Sequence, residues 1–85
     1  GVTAVEVQIV SEMLSVKEGW LARSPALRLA AVGESEEAAT TRLFYLVAAH
    51  CEVLAREGWL VQAMARAKVA MRETGAYGIV VRPAA

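Results

Sequence analysis

The spacing of hydrophobic residues changes at Gly33, and this change limits the folds that the chain can adopt. Before Gly33, apolar side chains alternate with other residues, beginning with Val5, Val7 and Ile9. After Gly33 they recur every three to four residues as far as Gly58. Period two is typical of strands with one buried face, and the longer period is typical of an amphipathic helix. The sequence therefore predicts a group of strands followed by a long helix.

Three short strands are predicted before this change. Their predicted ranges are 4–14, 20–24 and 27–32. Gly19 suits the positive φ of a hairpin turn after the first strand. Pro25 lacks the N–H that a central strand would use, so it marks a tight turn after the second strand. Three antiparallel strands joined in this way form a meander, and its apolar face needs a cover.

The cover is predicted to be the helix that follows. Ser35 suits the N-cap position, and Gly58 suits the C-terminal end. Glu36 and Glu37 fall in the first turn, where their negative charges complement the helix dipole. The predicted sheet-facing stripe consists of Ala39, Leu43, Leu46, Val47, His50 and Leu54.

Two further elements are predicted after this helix. A second helix is expected from Trp59 to about Thr74, with Gly75 as its C-terminal cap. The segment Ala-Tyr-Gly-Ile-Val-Val-Arg-Pro then has the composition of a short strand that stops at Pro83. Because an uncovered apolar edge strand tends to pair, we expect it to add to a sheet of its own subunit or of a second one. The 85 residues are thus predicted to form a single α+β domain.

The apolar content is high for so short a chain. Apolar residues make up 56% of the 85, whereas about 45 to 50% is usual. A domain of this size buries only about 60 to 65% of the surface that its unfolded chain exposes. We therefore expect a partner or a homo-oligomer, either a dimer or a tetramer. Neither a run of about 18 apolar residues nor a leader sequence is evident, so we expect a cytoplasmic protein without membrane contact.

Charge is balanced overall but unevenly placed. The formal net charge is zero, with an excess of glutamate in 1–37 and an excess of basic residues in 38–85. This polarity can steer a partner or a second copy. It is not the basic excess of a nucleic-acid-binding domain. Arg66, Lys68 and Arg72 are interpreted as a solvated helix face rather than an RNA site, because no aromatic platform accompanies them.

No catalytic, metal or cofactor site is predicted. A metal-dependent nuclease needs several carboxylates gathered on adjacent strands, but the chain has no aspartate, and Glu6 and Glu12 are far apart on one strand. Cys51 is the only cysteine, which excludes an intramolecular disulfide and favours a buried thiol. His50 has no acid or nucleophile near it in sequence and is interpreted as a core or interface residue. We expect a protein that is not an enzyme.

The stretch EGWLARSPALRLAAVGESEEAATTRL, residues 18–43, resembles the HicB antitoxin family. That family has a strand ending in Asp-Gly-(Trp/Tyr)-x-(Val/Ala), then Cys-Pro-Glu-Leu, then Gly-(Asp/Glu)-(Thr/Ser)-x-Glu-Glu-Ala-x-x-x-Leu opening a helix. The matching positions are Glu18, Gly19, Trp20, Ala22, Pro25, Leu27, Gly33, Glu34, Ser35, Glu37, Ala39 and Leu43. Departures from the pattern are Ser24 for cysteine, and Ala26 and Ala38 for glutamate. A weaker likeness extends over about 5–70, whereas the C-terminal strand segment has no counterpart in the family.

The resemblance implies a β-β-β-α domain similar to a degenerate RNase H fold. It also implies a partner, since HicB antitoxins cover the site of a small HicA toxin that cleaves RNA with a histidine. The DNA-binding segment that such antitoxins usually carry does not fit into 59–85, so a domain without it is expected. The alternative from a different class is a self-assembling homo-oligomeric domain of unknown role without a toxin.

Five residues are predicted to form an interaction surface. They are Trp20, Trp59, Tyr77, Ile79 and Val81. Aromatic side chains are enriched at interface hot spots, although both tryptophans could instead simply pack at the domain edge. Most of the family-like residues have structural tasks in any protein of this shape: turns for Gly19 and Gly33, a strand boundary for Pro25, a cap for Ser35, and the sheet-facing stripe for Ala39 and Leu43.

Overall fold

A computed structural model describes residues 4–84 as a five-stranded sheet with two helices packed on one face. In chain order the elements are β1 (Val5–Val16), β2 (Gly19–Ser24), β3 (Leu29–Gly33), α1 (Glu36–Arg56), α2 (Leu60–Arg66), β4 (Ala70–Glu73) and β5 (Gly78–Pro83). The predicted α+β class and the order of three strands followed by a long helix are confirmed.

The first three strands form the predicted antiparallel meander. Val16 pairs with Gly19 across a two-residue turn, and Gly19 has a φ of 132°, which a side chain would strain. A second turn takes up 25–28, and in it the Ser24 hydroxyl accepts a hydrogen bond from the Leu27 N–H at 3.3 Å. Because this turn uses two residues that the sequence assigned to a strand, β3 begins two residues later than predicted.

β1 is the central strand of the sheet. Hydrogen-bonded strands form the path β3-β2-β1-β4, and β5 also pairs with β1. β4 runs antiparallel to residues 5–8, and β5 runs parallel to residues 6–11. Since these two stretches overlap, β4 and β5 lie on opposite edges of β1. β2 pairs with 12–16. The two-residue hairpin makes Val16 and Gly19 a hydrogen-bonded pair, so the even-numbered residues of β1 direct their backbone groups to β2. The carbonyl of Ala4, also even-numbered, accepts from the Thr74 N–H after β4 at 3.3 Å, so β2 and β4 lie along the same edge of β1.

α1 begins as predicted and covers the sheet. The Ser35 hydroxyl accepts a hydrogen bond from the Ala38 N–H at 3.0 Å, and Glu36 and Glu37 occupy the first turn. Its buried residues are Ala39, Leu43, Val47 and Cys51. Each is four positions after the last, and such a row is inclined to the helix axis, so the buried stripe drifts around the helix. The predicted stripe ran along the axis instead and was wrong at Leu46 and His50, which are exposed.

Removing the N-cap hydroxyl tests this helix start. We expect Ser35→Ala to lower the free energy of unfolding by about 1 kcal/mol, because the Ala38 N–H loses its acceptor in the folded state. Urea denaturation followed by circular dichroism measures the change. Ser15→Ala is the matched control, since Ser15 is an exposed strand residue and such substitutions usually change stability by less than about 0.5 kcal/mol. Equal effects of the two substitutions would contradict the cap.

The second helix is shorter than predicted. α2 ends at Arg66, and the chain turns at Lys68, which has a φ of 61°. The Val69 N–H then donates to the Met64 carbonyl at 2.9 Å, and Val69 itself is buried. The residues expected to continue the helix form β4 instead. Their backbone hydrogen bonds to β1 replace the backbone hydrogen bonds of a continued helix, and Met71 packs against the core.

The C-terminal strand is confirmed, and it pairs within its own chain. Gly75, expected to cap the second helix, lies instead between β4 and β5 with a φ of 78°. The core between the sheet and the helices consists of Val7, Ile9, Ala22, Ala39, Leu43, Val47, Cys51, Leu60, Met64 and Val69. The buried hydroxyl of Ser11 is satisfied, since it donates to the Arg82 carbonyl at 3.1 Å.

Candidate protein-interaction surfaces

Within residues 4–84, no element covers the sheet face opposite the helices, and this face carries a row of apolar side chains. Leu14 pairs with Leu21, and Leu21 pairs with Val32, so the three lie side by side across β1, β2 and β3. We call these three residues the outer row. Leu14 is 43% exposed and Val32 37% exposed, and Leu21 is half-buried. An antiparallel sheet with one face in water usually places polar residues on that face, so this row is a candidate contact surface.

The surroundings of the outer row match the anatomy of a protein interface. Val10 lies on the same face and is 58% exposed. Beside the row, Arg23 Nε donates to Glu12 Oε1 at 2.7 Å, and both side chains are about half exposed. An apolar centre with a charged rim is the usual composition of such a surface. Because the ion pair is solvated, it contributes less than about 1 kcal/mol to stability.

The outer side of α1 is a second candidate. Tyr45 and Val53 are 66% and 55% exposed, and Leu46 between them is 43% exposed. Glu52 and Arg56 form an exposed ion pair at 3.1 Å at the end of this stretch. Exposed apolar side chains are common on protein surfaces, whereas strand pairing holds the row across the sheet in one contiguous line. That row is therefore the stronger candidate.

The two tryptophans do not form one surface. Trp20 is half-buried on the covered face of β2, where it packs against the core and pairs with Gly33. Trp59 is 58% exposed at the start of α2. Gly33 precedes α1 and Trp59 follows it, and a helix of 21 residues is about 30 Å long. Trp20 thus packs at the domain edge, and Trp59 is the tryptophan available to a partner.

The predicted interface residues of the C-terminal segment are divided in the same way. Ile79 pairs with Val7 and Val81 pairs with Ile9, so both point to the core and are half-buried. Tyr77 is 43% exposed. Its pKa is raised, chiefly by partial burial and further by Cys51 and Glu52 of α1.

The structure places each side chain that the sequence raised as a candidate for catalysis or metal binding. Cys51 is fully buried, and burial raises the pKa of its thiol, so the thiol stays protonated near neutral pH. His50 is exposed, which corrects its assignment to the core stripe. Glu6 Oε1 lies 3.7 Å from Arg72 Nη2, and Glu12 forms the ion pair with Arg23 described above. Within residues 4–84, no three His, Cys, Asp or Glu side chains are grouped so that they could hold a metal ion.

A groove of about 780 Å³ lies beside the second half of β1. Its walls are residues 11–13 of β1, the start of α1 with Glu36 and Glu37, and Pro83 with Ala84 at the end of β5. A smaller cleft of about 270 Å³ lies where the end of β2 and the start of β4 approach β1. The larger groove leaves part of β1 accessible to another chain.

The sequence interpretation missed the outer row. A signal for it was present, because Val10, Leu14 and Val32 are apolar residues at positions that alternate with the core-facing ones. Such positions are polar in a strand that faces water. What the sequence could not supply was the register that aligns Leu14, Leu21 and Val32.

Comparison with known protein families, with characterised proteins and with solved structures found no match to this chain. Neither α1 nor α2, the helices of residues 4–84, is long and apolar enough to cross a membrane.

Proposed function

We propose that this domain is a protein-binding module of the HicB-like kind, which docks a partner protein through its uncovered sheet face. The outer row of Leu14, Leu21 and Val32 carries the proposal, because it is a contiguous apolar strip on a face that would otherwise be polar. Neighbouring strands hold its backbone in place, so little ordering is needed on binding. Binding rather than catalysis is the proposed activity.

The proposed partner is a HicA-like RNase toxin, and the action is occlusion of the toxin's site. This partner is named on the resemblance of residues 18–43 to HicB antitoxins. The charge distribution supports a basic partner to a limited degree, since residues 1–37 have an excess of glutamate and opposite potentials favour encounter.

A charge placed in the outer row is expected to weaken the complex. Leu21 is the central residue of the row, and Leu21→Arg would bury an unpaired cation against the partner. We expect at least a tenfold loss of affinity for a HicA-like protein encoded beside the gene. Size-exclusion chromatography of the co-expressed pair and a titration by calorimetry measure it, with circular dichroism to verify that the variant folds.

Leu46→Arg is the matched control for this substitution. Leu46 is also an exposed leucine, at 43%, but it lies on α1 rather than on the sheet. We expect it to leave the affinity within about twofold, since surface substitutions away from an interface change little. No complex with the unmodified chain, or equal losses for Leu46→Arg and Leu21→Arg, would refute docking through the sheet face.

The second candidate function is self-assembly into a homo-oligomer without a toxin. Its supporting observation is the free edge of β1, where residues 12–16 pair with β2 on one side and lie beyond the end of β5 on the other. Open strand edges readily accept another strand. Sedimentation velocity at micromolar concentration tests this candidate, and a strictly monomeric chain would exclude it.

A further inference from the structure

We propose that two copies of this chain join through the free edge of β1, with residues 12–16 of each copy paired antiparallel about a twofold axis at Leu14. The proposal rests on the second candidate function and specifies how the copies meet. It would convert the two five-stranded sheets into one continuous sheet.

The backbone groups on this edge can be assigned from the hydrogen bonds of its neighbours. The Ser11 carbonyl accepts from the Ala84 N–H at 2.8 Å, so it points to the edge that β5 occupies. Backbone groups of alternate residues in a strand point to the same edge. The N–H and C=O groups of Met13 and Ser15 therefore point to the same edge, beyond the last residue that β5 pairs with.

These free groups determine the register. Ser11 already has its bond to β5, and Lys17 lies in the hairpin turn. Only Met13 and Ser15 remain free on this edge of 11–16. An antiparallel pairing that uses all four of their groups places Met13 opposite Ser15 of the second copy. The twofold axis then passes beside Leu14, and four backbone hydrogen bonds form.

Side chains on the uncovered face are compatible with this pairing. Leu14 would lie directly opposite Leu14 of the second copy, so the outer row would extend without interruption from Val32 of one copy to Val32 of the other. Glu12 would lie opposite Val16, which places no like charges in register. The paired strands would thus bury Leu14, which is 43% exposed in the single chain.

The surface next to the edge leaves space for the second strand. The groove of about 780 Å³ borders 11–13 on this side, so no element of residues 4–84 covers the edge there. Glu36 and Glu37 on the far wall are exposed and can keep their carboxylates in water. Glu12, which also borders the groove, is bound to Arg23.

Disulfide cross-linking tests the register directly. Leu14 would form a non-hydrogen-bonded pair with its symmetry mate, with a Cα–Cα distance of about 4.5 Å, which is within the range that a disulfide spans. Leu14→Cys is therefore expected to give mostly disulfide-linked dimer on mild oxidation. Leu21→Cys, one strand further from the axis, is expected to give at least tenfold less. The native thiol of Cys51 is buried, and peptide mapping establishes which cysteine reacts.

The outcomes separate this proposal from the functions above. A dimer in sedimentation velocity together with selective cross-linking at residue 14 supports the pairing. A dimer that cross-links equally at 14 and 21, or at neither, overturns the edge pairing and leaves self-assembly standing. A monomeric chain overturns both. A HicA-like partner is tested separately by the titration with Leu21→Arg, and circular dichroism confirms that each cysteine variant is folded.

Discussion

Gly33→Ala is expected to lower the free energy of unfolding by about 3 kcal/mol or more. A Cβ built on Gly33 would collide with the backbone nitrogen of Ala39 and lie 2.7 Å from the carbonyl carbon of Ala38. Both atoms belong to the first turn of α1, so relief requires moving the helix away from the sheet. Overpacking of this kind costs typically 1 to 3 kcal/mol and sometimes more. A domain of this length has only about 4 to 13 kcal/mol in total.

Gly78→Ala is the control for this substitution. A Cβ at Gly78 would meet no atom within 4 Å, and its φ is not in the left-handed region. We therefore expect a change of less than about 1 kcal/mol, because the added methyl group meets no other atom and the unfolded chain loses some entropy. Urea midpoints by circular dichroism compare the two variants. Similar midpoints would show that Gly33 does not lie tightly against α1.

Features determined by neighbours in sequence were predictable. The alternation that begins at Val5 predicts β1, and Ser35 with the two glutamates after it predicts the start of α1. In each case the stabilising contacts join residues within a few positions of one another, so the local pattern contains the necessary information.

Features determined by distant partners were not predictable in the same way. Ala70–Glu73 suits a helix by composition, but it pairs with Val5–Gln8 from the other end of the sequence. The sequence left open whether the last strand joins its own sheet, which it does, parallel to β1. Propensity is a weak prior when such pairings satisfy the backbone.

The interaction surface was hard to predict for the same reason, because it depends on pairing between distant strands. Trp20, Ile79 and Val81 were chosen for composition, since large apolar residues are common at interfaces. Which face each one occupies depends on strand register, and the register turns all three toward the helices. The same register exposes Leu14 and Val32 on the other face. A shift of one residue would exchange the two sets.

The oblique buried row of α1 gives the second large expected effect. Leu43 is fully buried, whereas Leu46 is 43% exposed on the same helix. We expect Leu43→Ala to lower the free energy of unfolding by about 3 kcal/mol, because it leaves a cavity between α1 and the sheet. Leu46→Ala is expected to cost less than about 1 kcal/mol, since much of that side chain already meets water.

Leu43→Ala and Leu46→Ala together discriminate between the predicted and the observed buried stripe of α1. A sheet-facing stripe parallel to the helix axis contains both leucines and predicts similar losses. The row Ala39, Leu43, Val47 and Cys51, four residues apart, contains only one of them. Urea denaturation of the two single variants gives the answer in one experiment, since they delete the same atoms from the same helix. Equal losses at Leu46 and Leu43 would place both side chains against the sheet. A second copy that covers Leu46 would also raise the loss at Leu46. Dilution of the sample identifies that case, because the loss then depends on protein concentration.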